Sequence, residues 1–180
     1  LPLLKCALIA SARAIQAESE RIPVHHLNES IFRFFFQRAL LTECPTVELL
    51  PECRKVDLVV RDHNDVAFIE LKYLVHSRCH EPETLLPLAS WKSYPSPANR
   101  RQFLESIEKL RGVSPTQGIS RAVALFYADP SPGRARTYHS WYGSPDMPRD
   151  AKLCLVESAP PFRCAISNAT CHTTLWEPRV

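Results

Sequence analysis

Two apolar segments with a short polar break between them dominate the first half of the sequence. They span residues 55–61 and 66–74, and Asp62-His63-Asn64-Asp65 lies between them. Both segments are rich in β-branched, aromatic and other apolar residues, a composition that favours strands. Asn and Asp tolerate left-handed backbone conformations and bond to their own backbone, so the break is typical of a turn. The pattern predicts a β-hairpin.

Three charged side chains lie within this predicted hairpin, although charged residues are depleted in strands. Residues two apart on a strand share a face, so Glu70 and Lys72 are expected to point the same way. A hairpin centred on the middle of the break places Val60 opposite Ala67. The same register places Asp57 opposite Glu70, with Cβ atoms about 5 Å apart. A shift of one residue would put Asp57 on the other face of the sheet.

The predicted cluster has a charge pattern that suits a metal. Two carboxylates this close repel each other unless a proton or a cation lies between them. Magnesium takes oxygen ligands and typically binds one or two carboxylates together with waters and phosphate oxygens. A lysine beside such an ion can orient a water or stabilise charge on a phosphate. Asp57, Glu70 and Lys72 therefore predict Mg²⁺-dependent hydrolysis of a phosphodiester, with Mn²⁺ as a substitute ion.

Asp57 followed by Glu70-Leu71-Lys72 resembles the PD-(D/E)xK nuclease superfamily, which has the restriction-endonuclease-like fold. Val56 stands where the motif's proline would precede the aspartate. The resemblance implies an α/β fold with a mixed central β-sheet flanked by helices. It implies a core of helix, three-stranded meander, helix and strand over about residues 25–130. It also implies metal binding by Asp57, Glu70 and the backbone carbonyl of Leu71, with Lys72 positioning the attacking water.

Two further residues are candidates through the same resemblance. Glu29 lies in the first turn of a helix predicted over residues 27–41, with Asn28 as its N-cap. In the superfamily a glutamate on this helix often reaches the metal, although Glu29 also suits the positive end of the helix dipole. Gln102 lies on a helix predicted over residues 99–111 and is a candidate catalytic residue beside the site. The alternative for Gln102 is a solvated helix face.

The remaining helices and strands are predicted from the spacing of apolar residues and from the residues that cap or end such elements. In the helix over 27–41, apolar residues recur on several faces, which predicts that it is largely buried. They include a stripe of Ile31, Phe34, Phe35 and Leu41, widened by Phe32, Phe36 and Leu40. Asn99 is the expected N-cap of the helix over 99–111, and Gly112 its stop. Further strands are predicted over 46–50, 121–128, 152–157 and 172–176. Residues 3–17 predict an amphipathic helix that packs on the domain, with a signal peptide as the alternative.

Basic and aromatic residues predict a nucleic-acid surface. Residues 75–98 are proline-rich, and loops of such length are usually functional or disordered. Aromatic rings suit stacking on bases, and basic side chains suit phosphate contacts. The candidates are Trp91, Lys92, Tyr94, Arg100 and Arg101. A surface loop with an unrelated charge count is the alternative. Residues 134–142 contain a second basic and aromatic cluster.

Composition sets the outer limits of these hypotheses. The 180 residues are 45% hydrophobic and carry a net charge of +3, which suits one domain over residues 1–180 with strands beyond about residue 130 as a C-terminal extension. No apolar run is long enough to predict a membrane span. The seven cysteines are odd in number and include no C-x-x-C pair, which favours a reducing, cytoplasmic setting over a disulfide framework. His76, Cys79 and His80 lack the spacing of a standard zinc site.

The sequence thus predicts a metal-dependent nuclease with DNA as its preferred partner and a homodimer left open. The first alternative is a non-catalytic, restriction-like module that binds nucleic acid or protein, because fold alone does not fix function. The second is a structural role in which Lys72 neutralises Asp57 and Glu70. A buried charge cluster is rarely worth keeping for stability alone, which favours the enzyme.

Overall fold

The computed structural model describes residues 2–79, 95–113, 118–131, 137–144, 147 and 151–179. These form an α/β structure with one mixed six-stranded sheet, in the order β1-β2-β3-β4-β6-β5, and helices that pack against it. The helices are α1 (Pro2–Glu18), α2 (Glu29–Glu43), α3 (Pro97–Arg111) and α4 (His139–Tyr142). The strands are β1 (Glu48–Pro51), β2 (Leu58–Asp62), β3 (Asp65–Val75), β4 (Ile119–Pro130), β5 (Leu153–Cys164) and β6 (Ala169–Pro178). In the described part of the chain no helix is both apolar and long enough to cross a bilayer.

The predicted hairpin is formed by β2 and β3, and its register is confirmed. Val60 pairs with Ala67, and Asp62 pairs with Asp65 across a two-residue loop. His63, the first loop residue, has a φ of 53°, the left-handed conformation that a tight hairpin turn requires. The ladder then fixes which side chains of β3 face each side of the sheet.

The start of the first hairpin strand was predicted wrongly. Cys53–Lys55 form a 3-10 turn, and β2 begins only at Leu58. Lys55 has a φ of 65°, a left-handed conformation that a continuous strand cannot contain. Asp57 therefore lies in the bend that leads into β2 rather than inside the strand.

The fourth strand runs parallel to β3, and this pairing brings α3 beside the hairpin. β4 is buried along most of its length, as its apolar run predicts. Parallel neighbours need a crossover connection, and α3 lies in this one. The N-cap lies three residues earlier than predicted, because the hydroxyl of Ser96 accepts a hydrogen bond from the N–H of Asn99 at 3.2 Å. Ser96 is thus the N-cap, and Gly112 ends the helix as predicted.

Helix α2 is only half buried, which corrects the prediction that it is largely buried. Asn28 is the N-cap, as expected, and its side chain accepts a hydrogen bond from the N–H of Ile31. Phe32 and Phe36 are fully buried against the sheet, whereas Phe34 is 55% exposed. The helix has apolar residues on more faces than the sheet can cover, so the stripe on its outer side remains in solvent.

The C-terminal residues extend the sheet, as predicted. β6 pairs with β4, and β5 pairs with β6 at the edge, so both predicted strands are present and longer than expected. The register of β5 shifts twice, and the second shift spans Pro160 and Pro161. At the other end of the chain, α1 packs its apolar face into the core through Leu8 and Ile15, which supports the predicted amphipathic helix.

Candidate active site

The ammonium of Lys72 lies at the centre of the predicted charge cluster. Its Nζ is 3.8 Å from a carboxylate oxygen of each of three residues, Glu29, Asp57 and Glu70. It also donates a hydrogen bond to the carbonyl oxygen of its neighbour Leu71 at 3.0 Å. The four oxygens around this cation are those that the resemblance assigns to a metal. The structure therefore brings together every predicted metal ligand.

Asp57 reaches the cluster by a route that the strand pairing alone does not give. It lies before β2, and its Oδ2 accepts a hydrogen bond from the backbone N–H of Leu71 at 2.8 Å. The same oxygen faces the ammonium of Lys72. This bond to the backbone of β3 fixes the carboxylate beside Glu70 without a direct ladder pair. The predicted proximity of the two carboxylates is right, but its cause is the bend before β2.

Glu70 is the buried member of the cluster, with a side chain only 1% exposed. Burial raises the pKa of this carboxyl above its ordinary value, since water no longer stabilises the charged form. The nearby carboxylate of Asp57 raises it further, while Lys109 and Lys72 act in the opposite direction. Burial also raises the pKa of Glu29, at the start of α2, against the lowering effect of Lys72. Both carboxylates therefore hold a proton more readily than free glutamate does.

Lys109 is a charged partner of the site that the sequence did not reveal. Its Nζ lies 2.5 Å from Oε1 of Glu70, and this contact lowers the pKa of that carboxyl. Lys109 comes from the last turn of α3, thirty-nine residues after Glu70. A helical wheel shows only that it lies on the polar side of α3. Its contact with Glu70 depends on the parallel pairing of β3 and β4, which local patterns do not fix.

An open cleft lies beside the cluster. Its volume is about 490 Å³, and Glu29, Lys72 and Gln102 are among the residues that line it. Gln102 is thus near the charged residues, as predicted, although it is exposed, and in the described part of the chain no hydrogen bond or ion pair joins it to them. Ser106, one turn further along α3, lines the same cleft. A molecule from solvent can therefore reach Glu29 and Lys72.

The predicted nucleic-acid residues divide into two groups. Trp91, Lys92 and Tyr94 lie outside the described residues. Arg100 and Arg101 lie in the first turns of α3. The guanidinium of Arg100 lies 4.6 Å from the ring centre of Trp141, and Arg101 forms an ion pair with Glu105 at 3.6 Å.

The donor atoms suit a hard divalent cation, but the ammonium of Lys72 already lies among them. All four candidate ligands are oxygens, the atoms that Mg²⁺ prefers. Mg–O bonds are about 2.0–2.1 Å long, so the carboxylates would have to close in and the ammonium of Lys72 would have to move out. As the side chains stand, no three acidic, imidazole or thiol groups in the described ranges are arranged to hold a metal ion. Of His76, Cys79 and His80, which lack the spacing of a standard zinc site, His80 lies outside those ranges.

Comparison with known proteins identifies neither a family nor a relative. No family model matches the chain, and no curated protein or solved structure matches it either. The PD-(D/E)xK resemblance stays an expectation carried by Asp57, Glu70, Lys72 and the elements that hold them.

Proposed function

We propose that this protein is a metal-dependent nuclease that hydrolyses phosphodiester bonds, with DNA as its preferred substrate. The observation that carries the proposal is the convergence of four oxygens on one cation. They belong to Glu29, Asp57, Glu70 and the carbonyl of Leu71, and the cation is the ammonium of Lys72. The cluster borders an open cleft, so a phosphodiester strand has access to it.

The order of elements supports a restriction-endonuclease-like core. Helix α2 is followed by the antiparallel meander β1-β2-β3, then by α3, and then by β4 parallel to β3. This is the order that the superfamily resemblance implies over about residues 25–130. The acidic residues lie at the start of α2, in the bend before β2 and on β3.

Asp57, Glu70, the carbonyl oxygen of Leu71 and Glu29 would together hold Mg²⁺, or Mn²⁺ in its place. When bound, such an ion would lower the pKa of a water and neutralise charge on the phosphate. The ammonium of Lys72 would have to leave the centre of the cluster, and its side chain is 21% exposed on the cleft side. From there it can donate hydrogen bonds to a water or to a phosphate oxygen.

The protein's own charges prepare the site for this chemistry. Lys109 faces Glu70 from α3 and offsets the effect of burial, so it favours the ionised carboxylate that a metal requires. Gln102 and Ser106 place polar groups along the wall of the cleft, where they can contact a bound strand. Each of these roles belongs to a residue on the helix that packs beside β3.

Cleavage of labelled DNA in Mg²⁺ or Mn²⁺ tests the proposal. Asp57→Asn, Glu70→Gln and Lys72→Met should each lower the rate by at least about 100-fold, because each removes a member of one catalytic unit. Double variants should lose little more than single ones. Glu105→Gln, an exposed carboxylate on α3, is the matched control and should leave the rate unchanged. Full activity in Lys72→Met would remove this lysine from the mechanism.

A non-catalytic restriction-like module, which binds nucleic acid or protein, is the alternative. The observation that favours it is that Lys72 and Lys109 already neutralise the carboxylates without any metal. Calorimetric titration with Mg²⁺ and Mn²⁺ separates the two functions. The nuclease proposal expects weak binding in the wild type, tighter binding in Lys72→Met, where the competing ammonium is gone, and none in Glu70→Gln. An absence of binding in all three proteins would favour the module.

A further inference from the structure

A second cavity, whose lining includes three aromatic side chains, adjoins the candidate catalytic cleft. Its volume is about 270 Å³, and Tyr138, Trp141 and Tyr142 are among the residues that line it. Ser96 and Asn99, at the start of α3, line both this cavity and the cleft that contains Glu29 and Lys72. The two cavities therefore lie next to each other at the start of α3. We call this second cavity the aromatic pocket.

The aromatic side chains of this pocket pack against buried neighbours. The ring of Trp141 contacts Phe103 edge-on at 5.7 Å and Tyr142 at 4.4 Å, and both of these partners are buried. Tyr138 is buried as well, and its hydroxyl accepts a hydrogen bond from the side-chain amide of Asn99 at 3.1 Å. Such support keeps the rings in place before a ligand arrives, so little conformational entropy is lost on binding.

Two features of Trp141, which lines the aromatic pocket, point to a flat ligand with hydrogen-bond acceptors. The guanidinium of Arg100 lies over the ring of Trp141, so a cation and an aromatic face form one stacking platform. The indole N–H of Trp141 is buried and has no acceptor among the described residues. A buried donor of this kind is costly unless a ligand or water accepts its hydrogen bond. Nucleobases offer both a π-face and ring or carbonyl acceptors.

We infer that the aromatic pocket binds one unpaired nucleobase of the strand that enters the cleft. The inference rests on the proposed nuclease function, because it takes the ligand to be part of a strand that lies in the adjoining cleft. It narrows the substrate class to single-stranded DNA, or to an unpaired end or flap beside a duplex. A base in the interior of a duplex cannot stack on the indole, because its two faces are covered by the neighbouring bases.

Binding without metal tests the pocket independently of cleavage. Fluorescence anisotropy in EDTA compares labelled oligo(dT) with an oligomer of the same length made of abasic residues, which has the same phosphates but no bases. Wild type should bind oligo(dT) more tightly. Trp141→Ala and Arg100→Ala should each weaken oligo(dT) binding by about 5- to 100-fold, the range of one base–aromatic stack. Both variants should lose the preference for bases.

The neighbouring Arg101 is the matched control. It lies on the same helix and is exposed, but it does not line the aromatic pocket. Arg101→Ala should change the affinities for oligo(dT) and the abasic oligomer by the same factor. Trp141→Phe retains a ring and loses only the N–H, so it should lose part of the preference. If Trp141→Ala does not fold, Arg100→Ala and Trp141→Phe decide the matter.

The remaining outcomes test base binding by the aromatic pocket separately from nuclease activity. Equal binding of the two oligomers by wild type overturns the inference, even if metal-dependent cleavage is found. A preference for bases that Arg100→Ala and Trp141→Phe leave unchanged also overturns it. Tighter oligo(dT) binding by Trp141→Ala would mean that another segment of this chain occupies the pocket, and it overturns the inference too. A preference that depends on Trp141 in a protein without cleavage supports the pocket and moves the function to the binding module.

Discussion

At the scale of single residues, the balance of charge around Glu70 decides what the site can do. The carboxylate is buried, and Lys72 and Lys109 approach it from two sides. Lys72 is 21% exposed and Lys109 is 37% exposed, so neither is fully removed from water. Burial of a charge without a partner costs much more than burial of a pair. The two lysines therefore make an ionised Glu70 tolerable in the core.

Removal of Lys109 should therefore lower the free energy of unfolding. Among the described residues, Lys109→Met leaves Lys72 as the one cation in an ion pair with Glu70, and we expect a loss of about 1–3 kcal/mol in the free energy of unfolding at neutral pH. Urea unfolding measures it. The double variant Glu70→Gln/Lys109→Met should recover most of the loss, since no charge is then left unpaired.

Arg101→Met is the control for that measurement. Arg101 lies on the same helix as Lys109, but its ion pair with Glu105 is exposed. Exposed pairs are worth about 0–1 kcal/mol, so the variant should unfold at nearly the same urea concentration as wild type. An equally small effect of Lys109→Met would show that Lys72 alone neutralises Glu70.

At the scale of elements, helix α2 positions a candidate ligand through its cap. Asn28 accepts a hydrogen bond from the N–H of Ile31, and Glu29 is the next residue after the cap. Asn28→Ala should therefore lower the stability of the protein by about 1 kcal/mol. Asn28→Ser, which retains a capping oxygen, should cost much less. Thermal unfolding of the two variants measures the difference, and equal melting temperatures would contradict a role for the cap.

The sequence predicted the elements better than their contacts. The hairpin register of β2 and β3 follows from the turn and from the alternation of side chains, both of which are local. The bend that contains Asp57 was missed, because a left-handed Lys55 has no sequence signal comparable to glycine. The exposed face of α2 was missed because Phe34 is as apolar as its buried neighbour Phe36. Only the packed sheet decides which of these faces is covered.

The residues of the candidate site also fall into two groups, those that the sequence could bring together and those that it could not. Asp57, Glu70 and Lys72 could be grouped from the sequence because one hairpin brings them close. Lys109 and Trp141 could not, because they come from later elements whose places depend on the parallel pairing of β3 with β4. Long-range contacts of this kind leave no periodic pattern in the chain.

At the scale of the whole molecule, one half-buried histidine links stability to pH. His172 on β6 stacks on Tyr127 of β4 at 4.8 Å and on His139 of α4 at 4.5 Å. Burial lowers the pKa of His172 from 6.5 to about 4, and the nearby His139 adds to this effect. The folded state thus favours the neutral ring, while the unfolded chain takes up a proton near pH 6.5.

The sign of the resulting pH dependence follows from that difference. Stability from His172 is fully present above pH 6.5 and is lost as the pH falls from 6.5 towards 4. Because the ring is partly exposed, we expect a loss of about 1–3 kcal/mol over this window. His172→Gln should flatten the curve of unfolding free energy against pH, whereas His63→Gln, at an 83% exposed side chain, should not. Parallel curves for wild type and His172→Gln would exclude the effect.

The two edges of the sheet differ in what they offer to another strand. β1, at one edge, has only four residues, so it presents a short row of unpaired backbone groups. β5, at the other edge, is long, but Pro160 and Pro161 interrupt it and have no N–H to donate. Proline and irregular register are means by which natural sheets prevent edge-to-edge aggregation. The prolines that disturb the ladder of β5 thus also keep the outer edge of the sheet from serving as a template for amyloid-like growth.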